Sequence, residues 1–190
     1  MLDMNTLEKL RKLKEEFKDL NRNPICNFCV SVGLFNEEDL TKWKCTFVGP
    51  KDTPYECGLF YVSLNFEKDY PIYPPKVKFI TPIYHTNVLH KSNSIDEVGT
   101  VYLSILHHFH WRRLYKVRDI IISICSLFYF HNVKIDCPCH CNQELTNEAI
   151  NNKNLYNEKA KYFAKKYADV RNAQNISNIN QNSWDFSYNV

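Results

Sequence analysis

The sequence has no hydrophobic run long enough to span a membrane. Its longest apolar run, residues 120–130, is interrupted by two serines and a cysteine, and it is much shorter than the roughly 20 residues that a spanning helix needs. The first 20 residues are charged and amphipathic, unlike a secretory signal peptide. We therefore expect an intracellular soluble protein, cytoplasmic or nuclear, with no membrane partner.

The chain also has little excess charge and little glycine. Its formal net charge is +3, which is too small to indicate nucleic-acid binding, so we expect no nucleic acid as a partner. The 4 glycines contrast with 12 tyrosines and 12 phenylalanines, a composition that favours a compact aromatic core. Because no secretory signal is visible, the 8 cysteines are predicted to be reduced thiols rather than disulfides.

Hydrophobic periodicity predicts an α+β fold. Apolar residues at helical spacing over residues 7–20 predict an amphipathic N-terminal helix with a basic outer face. Alternating or strand-like runs separated by short turns predict a four-stranded antiparallel meander over residues 25–32, 40–48, 58–66 and 76–80.

The C-terminal half is predicted to be helical. Residues 117–130 are apolar on nearly every side and predict a buried helix, and residues 146–168 predict one or two more helices. We expect a core domain over residues 1–170, followed by a disordered Asn-rich tail over residues 171–190.

Four motifs follow one another along the chain. They are Trp43 with the turn Gly49-Pro50-Lys51-Asp52-Thr53-Pro54-Tyr55, the segment Tyr70-Pro71-Ile72-Tyr73-Pro74-Pro75, the tripeptide His85-Thr86-Asn87, and the strip Gly99-Thr100-Val101-Tyr102-Leu103-Ser104-Ile105-Leu106. In this order they resemble the ubiquitin-conjugating enzyme family over roughly residues 5–170. The resemblance implies the fold of that family, with an N-terminal helix, a four-stranded antiparallel meander and C-terminal helices, and it implies no cofactor.

The resemblance implies an active-site strip with altered chemistry. In the family, a cysteine in the strip carries ubiquitin as a thioester, and Tyr102 stands at that position here. A phenol with a pKa near 10 is roughly thirtyfold less ionised than a thiol with a pKa near 8.5. The sequence therefore predicts that Tyr102 does not replace the thiol.

The residues around the strip also have implied roles. His85 matches a histidine that organises the loop by hydrogen bonding. Asn87 matches an asparagine that supports the oxyanion of lysine attack or pins the loop, and pinning is favoured where no thioester forms. Thr86 stands where the family has proline, and residues 88–98 form a longer link than usual.

Partner surfaces are implied as well. Phe66 matches an aromatic that the family presents to activating enzyme and ligase, with a core phenylalanine as the alternative. The basic face of the first helix resembles the activating-enzyme footprint, although a solvated charged face is the alternative. The expected partner-binding residues are Phe66, Lys9, Lys12, Trp111, Arg112, Arg113 and Leu114.

Cysteines elsewhere offer two further interpretations. One of Cys137, Cys139 and Cys141 could act as a displaced nucleophile, with His140 lowering the pKa of a neighbouring thiol. The same run and the pair Cys26-x-x-Cys29 could instead hold zinc. However, the alternating cysteines of the run would be too crowded for a tetrahedral zinc site. Small buried hydrophobes are the favoured reading of these cysteines, so we expect no metal.

Three functions fit the sequence. The first is a catalytically inactive relative that binds ubiquitin or a ubiquitin-like modifier, an active conjugating enzyme, a ligase or an activating enzyme, as the ubiquitin-conjugating enzyme variants do. The second is an active conjugating enzyme that uses a displaced cysteine. The third is an interaction module unrelated to ubiquitin.

Overall fold

The fold contains a small β-sheet, with helices before and after it in the sequence. A computed structural model describes residues 4–25, 29–92, 94, 97–129 and 142–170. Its elements are, in order, α1 (Met4–Arg22), β1 (Cys29–Leu34), β2 (Lys42–Val48), β3 (Leu59–Asn65), β4 (Lys76–Phe79), a 3₁₀ turn (Ser104–Leu106), α2 (Val117–Leu127), α3 (Gln143–Asn151) and α4 (Lys153–Tyr167).

The four strands form an antiparallel meander in the order β1-β2-β3-β4. This confirms the predicted α+β fold with an N-terminal helix and C-terminal helices. The first strand begins later than predicted and runs on to Leu34, because its pairing with β2 continues until Leu34 lies opposite Trp43. The other three strands lie within their predicted ranges.

One face of the sheet forms the core. The alternation of β2 places Trp43, Cys45 and Phe47 at 0% exposure, as the sequence pattern predicts. Below them Phe128 is also fully buried, and its ring lies 5.2 Å from that of Phe60 and within 6.1 Å of three other rings. The sheet is thus joined to the end of α2 by an aromatic cluster.

The helices differ from prediction in detail. In α1, Leu13 and Leu20 are buried, but Leu7 is 48% exposed. The apolar stretch after Val117 gives a helix that ends at Leu127, earlier than predicted. The region 146–168 contains two helices, which separate at Asn152, whose side chain accepts the Leu155 N–H at 3.2 Å and caps α4.

The turn between β2 and β3 is tight at Gly49. A Cβ there would lie 1.7 Å from the Tyr55 carbonyl oxygen, so only glycine fits. In the described part of the chain, no helix is both long and apolar enough to cross a membrane. The predicted tail, residues 171–190, lies outside the described residues.

Candidate functional site

His85 is buried and bonded through both ring nitrogens. Its Nδ1 lies 2.9 Å from the backbone nitrogen of Asn87, and its Nε2 lies 3.1 Å from the carbonyl oxygen of Leu127. Because an amide N–H can only donate, Nδ1 is the acceptor and the ring proton lies on Nε2, which donates to Leu127. The ring therefore joins the Asn87 segment to the end of α2, an arrangement that suits the loop-organising role expected of it.

Asn87 and Tyr102 are held together by two hydrogen bonds, one from the Asn87 side chain and one between the backbones. The Nδ2 group of Asn87 donates to the Tyr102 carbonyl oxygen at 3.0 Å, and the Tyr102 N–H donates to the Asn87 carbonyl oxygen at 2.8 Å. The Oδ1 atom of Asn87 accepts the Thr86 hydroxyl at 3.2 Å. The side-chain amide thus has the contacts of a loop-pinning residue.

Thr86 uses a donor that proline lacks. Its backbone N–H donates to the buried Tyr156 hydroxyl at 3.3 Å, and Tyr156 lies in α4. A proline at this position would have no N–H to give. Threonine at this position thus allows a bond between the candidate site and α4 that proline could not make.

Tyr102 lies half-buried in an open groove of about 1000 Å³. Burial raises the pKa of its phenol above the ordinary value, and the carboxylate of Glu97, which lines the same groove, raises that pKa further. The phenol is consequently protonated at neutral pH. The other groove-lining groups are two lysines of β4, polar residues of β3 and residues near the 3₁₀ turn, among them Lys76, Lys78, Ser63, Asn65, Thr100, His107 and His108.

A second buried histidine, His90, connects the site to α3. Asn142 donates through Nδ2 to the carbonyl oxygens of Thr86 at 2.9 Å and Val88 at 2.6 Å, on either side of Asn87. Its Oδ1 is therefore free to accept, and it lies 2.9 Å from Nδ1 of His90, which must donate. Burial lowers the pKa of His90, so the neutral ring is the favoured form. We refer to Asn142 and His90 as the Asn142 staple.

The long link at residues 88–98 is closed at its base. The Leu89 N–H donates to the Thr100 carbonyl oxygen at 2.9 Å, and the Gly99 N–H donates to the Leu89 carbonyl oxygen at 2.7 Å. Farther out, the Ser92 hydroxyl donates to Glu97 at 2.6 Å. The link therefore returns to the site and brings the Glu97 carboxylate to the groove.

The predicted partner loop is exposed at its tip and anchored at its base. Arg112, Arg113 and Leu114 are exposed, and Leu114 reaches 89%. The Trp111 ring is buried and its Nε1 donates to the Pro71 carbonyl oxygen at 2.9 Å. The ammonium of Lys12 donates to the Arg113 carbonyl oxygen at 2.8 Å, so Lys12 holds the loop against α1.

Besides Trp111, two more of the expected partner-binding residues are buried instead of exposed. Phe66 is 1% exposed, with its ring 5.0 Å from that of Trp43 and 4.8 Å from that of Tyr70. Lys9 is 7% exposed and its ammonium donates to the Glu67 carbonyl oxygen at 3.3 Å. The core alternative therefore describes Phe66, and Lys9 is not part of an exposed basic face.

The cysteine run cannot be placed. Cys26, Cys137, Cys139 and Cys141 lie outside the described residues, so the displaced thiol and the zinc site stay predictions. Across the described ranges, no group of three or more His, Cys, Asp or Glu side chains is arranged to hold a metal ion.

Some residues of the site were missed by the sequence reading. The Asn142 staple joins positions 52 residues apart, and no local pattern marks either partner. Glu97 belongs to the long link at residues 88–98, and the sequence pattern indicated only that this link is longer than usual.

Comparison with known proteins matches this chain to a protein family and to a related enzyme. A family model described as ubiquitin-conjugating enzyme matches residues 12–164, a range that contains the sheet, the Asn87 and Tyr102 pair and the Asn142 staple. The probable ubiquitin-conjugating enzyme E2 7 of Caenorhabditis elegans is 37% identical to this chain over 127 residues, which cover 60% of this chain and 72% of that protein.

Proposed function

This chain belongs to the ubiquitin-conjugating enzyme family, and we propose that it has lost thioester catalysis and serves as a binding partner in a ubiquitin or ubiquitin-like pathway. The observation that carries the proposal is the position of Tyr102. Its backbone is bonded in both directions to Asn87, the residue that follows His85 and Thr86 in the family motif. These bonds support the assignment of Tyr102 to the position of the family nucleophile.

The chemistry of charging explains why a phenol at this place is inactive. In charging, a thiolate attacks the carbonyl carbon of the activating enzyme's thioester, a new C–S bond forms, and the old C–S bond breaks with release of the first thiolate. A tyrosine would have to form an oxygen ester from a phenolate instead. Burial and Glu97 raise the pKa of Tyr102, so the phenolate is rarer here than in a free tyrosine.

Recognition does not depend on the missing thiol. The exposed tip of the partner loop and its anchors to Lys12 and Pro71 give a fixed surface whose binding energy is independent of position 102. The proposed partners are ubiquitin or a ubiquitin-like modifier, an active conjugating enzyme, a ligase or an activating enzyme. We expect micromolar dissociation constants, which are usual for transient contacts over small areas.

The binding role is tested by NMR titration of the isotope-labelled full chain with ubiquitin, with a panel of active conjugating enzymes and with ligase catalytic domains. We expect shifts of amide signals in the loop from Trp111 to Leu114 with at least one titrant. If no titrant shifts them at several hundred micromolar, the chain is better described by the third function, an interaction module unrelated to ubiquitin.

The displaced-cysteine alternative has one supporting observation. Asn142 directly follows Cys141 in the sequence, and its side chain is bonded to the carbonyl groups on either side of Asn87. If a thiol of this run accepts ubiquitin, a reducible adduct forms. Substitution of Cys137, Cys139 or Cys141 by serine would then abolish it.

A further inference from the structure

Three histidines stand together in the turn that follows the 3₁₀ turn, within residues 107–110. The His107 carbonyl oxygen accepts the His110 N–H at 2.8 Å and the Trp111 N–H at 2.9 Å, so the segment forms a single helix-like turn. Side chains three residues apart on a helical turn are neighbours on one face. His107 and His110 have this spacing, and we refer to these two residues as the histidine pair.

The two rings of the histidine pair are spaced like two ligands of one metal ion. Their centroids lie 5.6 Å apart, with an angle of 46° between the ring planes. With metal–nitrogen bonds of about 2.0–2.1 Å, two imidazoles on one tetrahedral zinc ion have centroids about 5 Å apart. The His108 ring instead stacks on His107 at 30°, and stacked rings do not direct their in-plane lone pairs at one point. The pair, without His108, therefore has the spacing of a two-ligand site.

His107 also has a ring nitrogen for which the fold supplies no partner. Its Nδ1 atom is buried and has no hydrogen-bond partner within the described part of the chain. Nearly all buried polar atoms have a partner, and an exception is explained by a bound water, an ion or a functional role. The buried rings of His85 and His90, by contrast, are bonded to Leu127 and Asn142. This nitrogen is therefore available to a ligand from outside the chain.

The turn that carries the histidine pair is anchored on both sides. The His107 N–H donates to the Ser104 carbonyl oxygen at 3.1 Å, and the buried Trp111 ring donates through Nε1 to the Pro71 carbonyl oxygen at 2.9 Å. A backbone held in this way lowers the entropy cost of binding. Because His107 lines the groove that contains Tyr102, an ion bound here would lie at the edge of that groove.

We propose that the histidine pair binds one divalent transition-metal ion, with water completing the coordination. Imidazole nitrogen suits Zn²⁺, Ni²⁺ and Cu²⁺, whereas Mg²⁺ and Ca²⁺ prefer oxygen ligands. Such a site is smaller than the groups of three or more ligating side chains that are absent among the described residues. The sequence-based expectation of no metal rests on the cysteines and does not concern this turn. The inference is independent of whether Tyr102 is inactive.

The test titrates the isotope-labelled full chain with NiCl₂ and follows its amide signals by NMR. Ni²⁺ with imidazole and water ligands is paramagnetic and broadens the signals of nearby nuclei, so the spectra distinguish this turn from metal binding by thiols elsewhere. One variant is His107→Ala with His110→Ala. A second is His110→Ala alone, which replaces an exposed side chain and leaves the His107 ring in place. The matched control is His108→Ala, an exposed histidine of the same turn, and circular dichroism checks that every variant is folded.

We expect Ni²⁺ to broaden the amide signals of residues 106–111 and EDTA to restore them. Since loss of an outer-shell partner alone costs about 10–100-fold in metal affinity, both variants that lack His110 should bind at least about tenfold more weakly, and His108→Ala should differ from the parent by less than about twofold. Zn²⁺ should shift the same signals and compete with Ni²⁺, and Mg²⁺ should do neither.

Three results would overturn the inference. The first is no broadening in this turn at millimolar Ni²⁺. The second is broadening that persists unchanged in both variants that lack His110. The third is broadening that His108→Ala abolishes, because the rings would then not be used as the histidine pair. Each of these results leaves the proposed function intact, since that function does not involve a metal.

Discussion

Removal of the Asn142 side chain should destabilise the candidate site and the whole fold. In Asn142→Ala, the carbonyl oxygens of Thr86 and Val88 and the Nδ1 group of His90 lose the hydrogen bonds that Asn142 makes to them. A buried polar group without a partner costs about 1–3 kcal/mol. Because water entering the vacated space restores part of this bonding, we expect the free energy of unfolding to fall by about 2–4 kcal/mol in total.

Urea denaturation of the full chain measures this loss, with an unchanged dependence on urea concentration expected if the unfolding remains two-state. The matched control is Asn154→Ala, an exposed asparagine in the first turn of α4, which should change stability by less than about 0.5 kcal/mol. If Asn142→Ala also lowers stability by less than about 0.5 kcal/mol, the Asn142 staple does not hold the loop and the reasoning is refuted.

A carboxylate at the same place gives a pH-dependent version of the test. In Asn142→Asp the charged group would face two carbonyl oxygens and be desolvated, which raises its folded-state pKa above the unfolded value of about 3.9. The protonated acid can still donate one bond, so the variant should be closest to the parent chain below the unfolded pKa. Its deficit relative to the parent should grow as the pH rises through the folded pKa. A deficit that is constant between acidic and neutral pH would contradict this.

Three other predictions concern the surroundings of the site. In Tyr102→Cys the thiol should have a raised pKa, and adding Glu97→Gln should lower it, as measured by the pH dependence of alkylation with peptide mass spectrometry. Tyr156→Phe should lower stability by about 1 kcal/mol in urea, because the Thr86 N–H loses its acceptor. Phe128→Ala should cost about 3–5 kcal/mol by the same measurement, because the ring is fully buried among four others. The same pH dependence of alkylation with and without Glu97→Gln would contradict the effect of Glu97 on the thiol pKa. A loss of stability below half of the stated value in Tyr156→Phe or Phe128→Ala would contradict the stabilising role of that side chain.

The fold could be predicted from the sequence because its signals are local. Alternation in β2 places Trp43 and Phe47 on one face of the strand, independently of the rest of the chain. The apolar run after Val117 likewise indicates a buried helix. The motifs also indicated that Tyr102 and Asn87 belong to one site. Strand ends were less predictable, because the pairing partner decides where β1 stops.

The burial of single residues was harder to predict because it depends on distant elements. The sequence allows Phe66 as either a partner-binding aromatic or a core residue, and in the structure Trp43 from β2 and Tyr70 from the next turn pack against its ring. Lys9 reads as part of a charged helix face, but its long side chain reaches the Glu67 carbonyl oxygen. The staple between His90 and Asn142 likewise exists only when the chain is folded.

The proposed loss of catalysis is tested most directly by charging. The full chain is incubated with activating enzyme, ATP and tagged ubiquitin, beside an active conjugating enzyme as the positive control, and is read on a non-reducing gel. The control is expected to form an adduct sensitive to dithiothreitol, and this chain is expected to form none. A reducible adduct on this chain that disappears in Cys137→Ser, Cys139→Ser or Cys141→Ser would contradict the proposed loss of catalysis and identify the nucleophile.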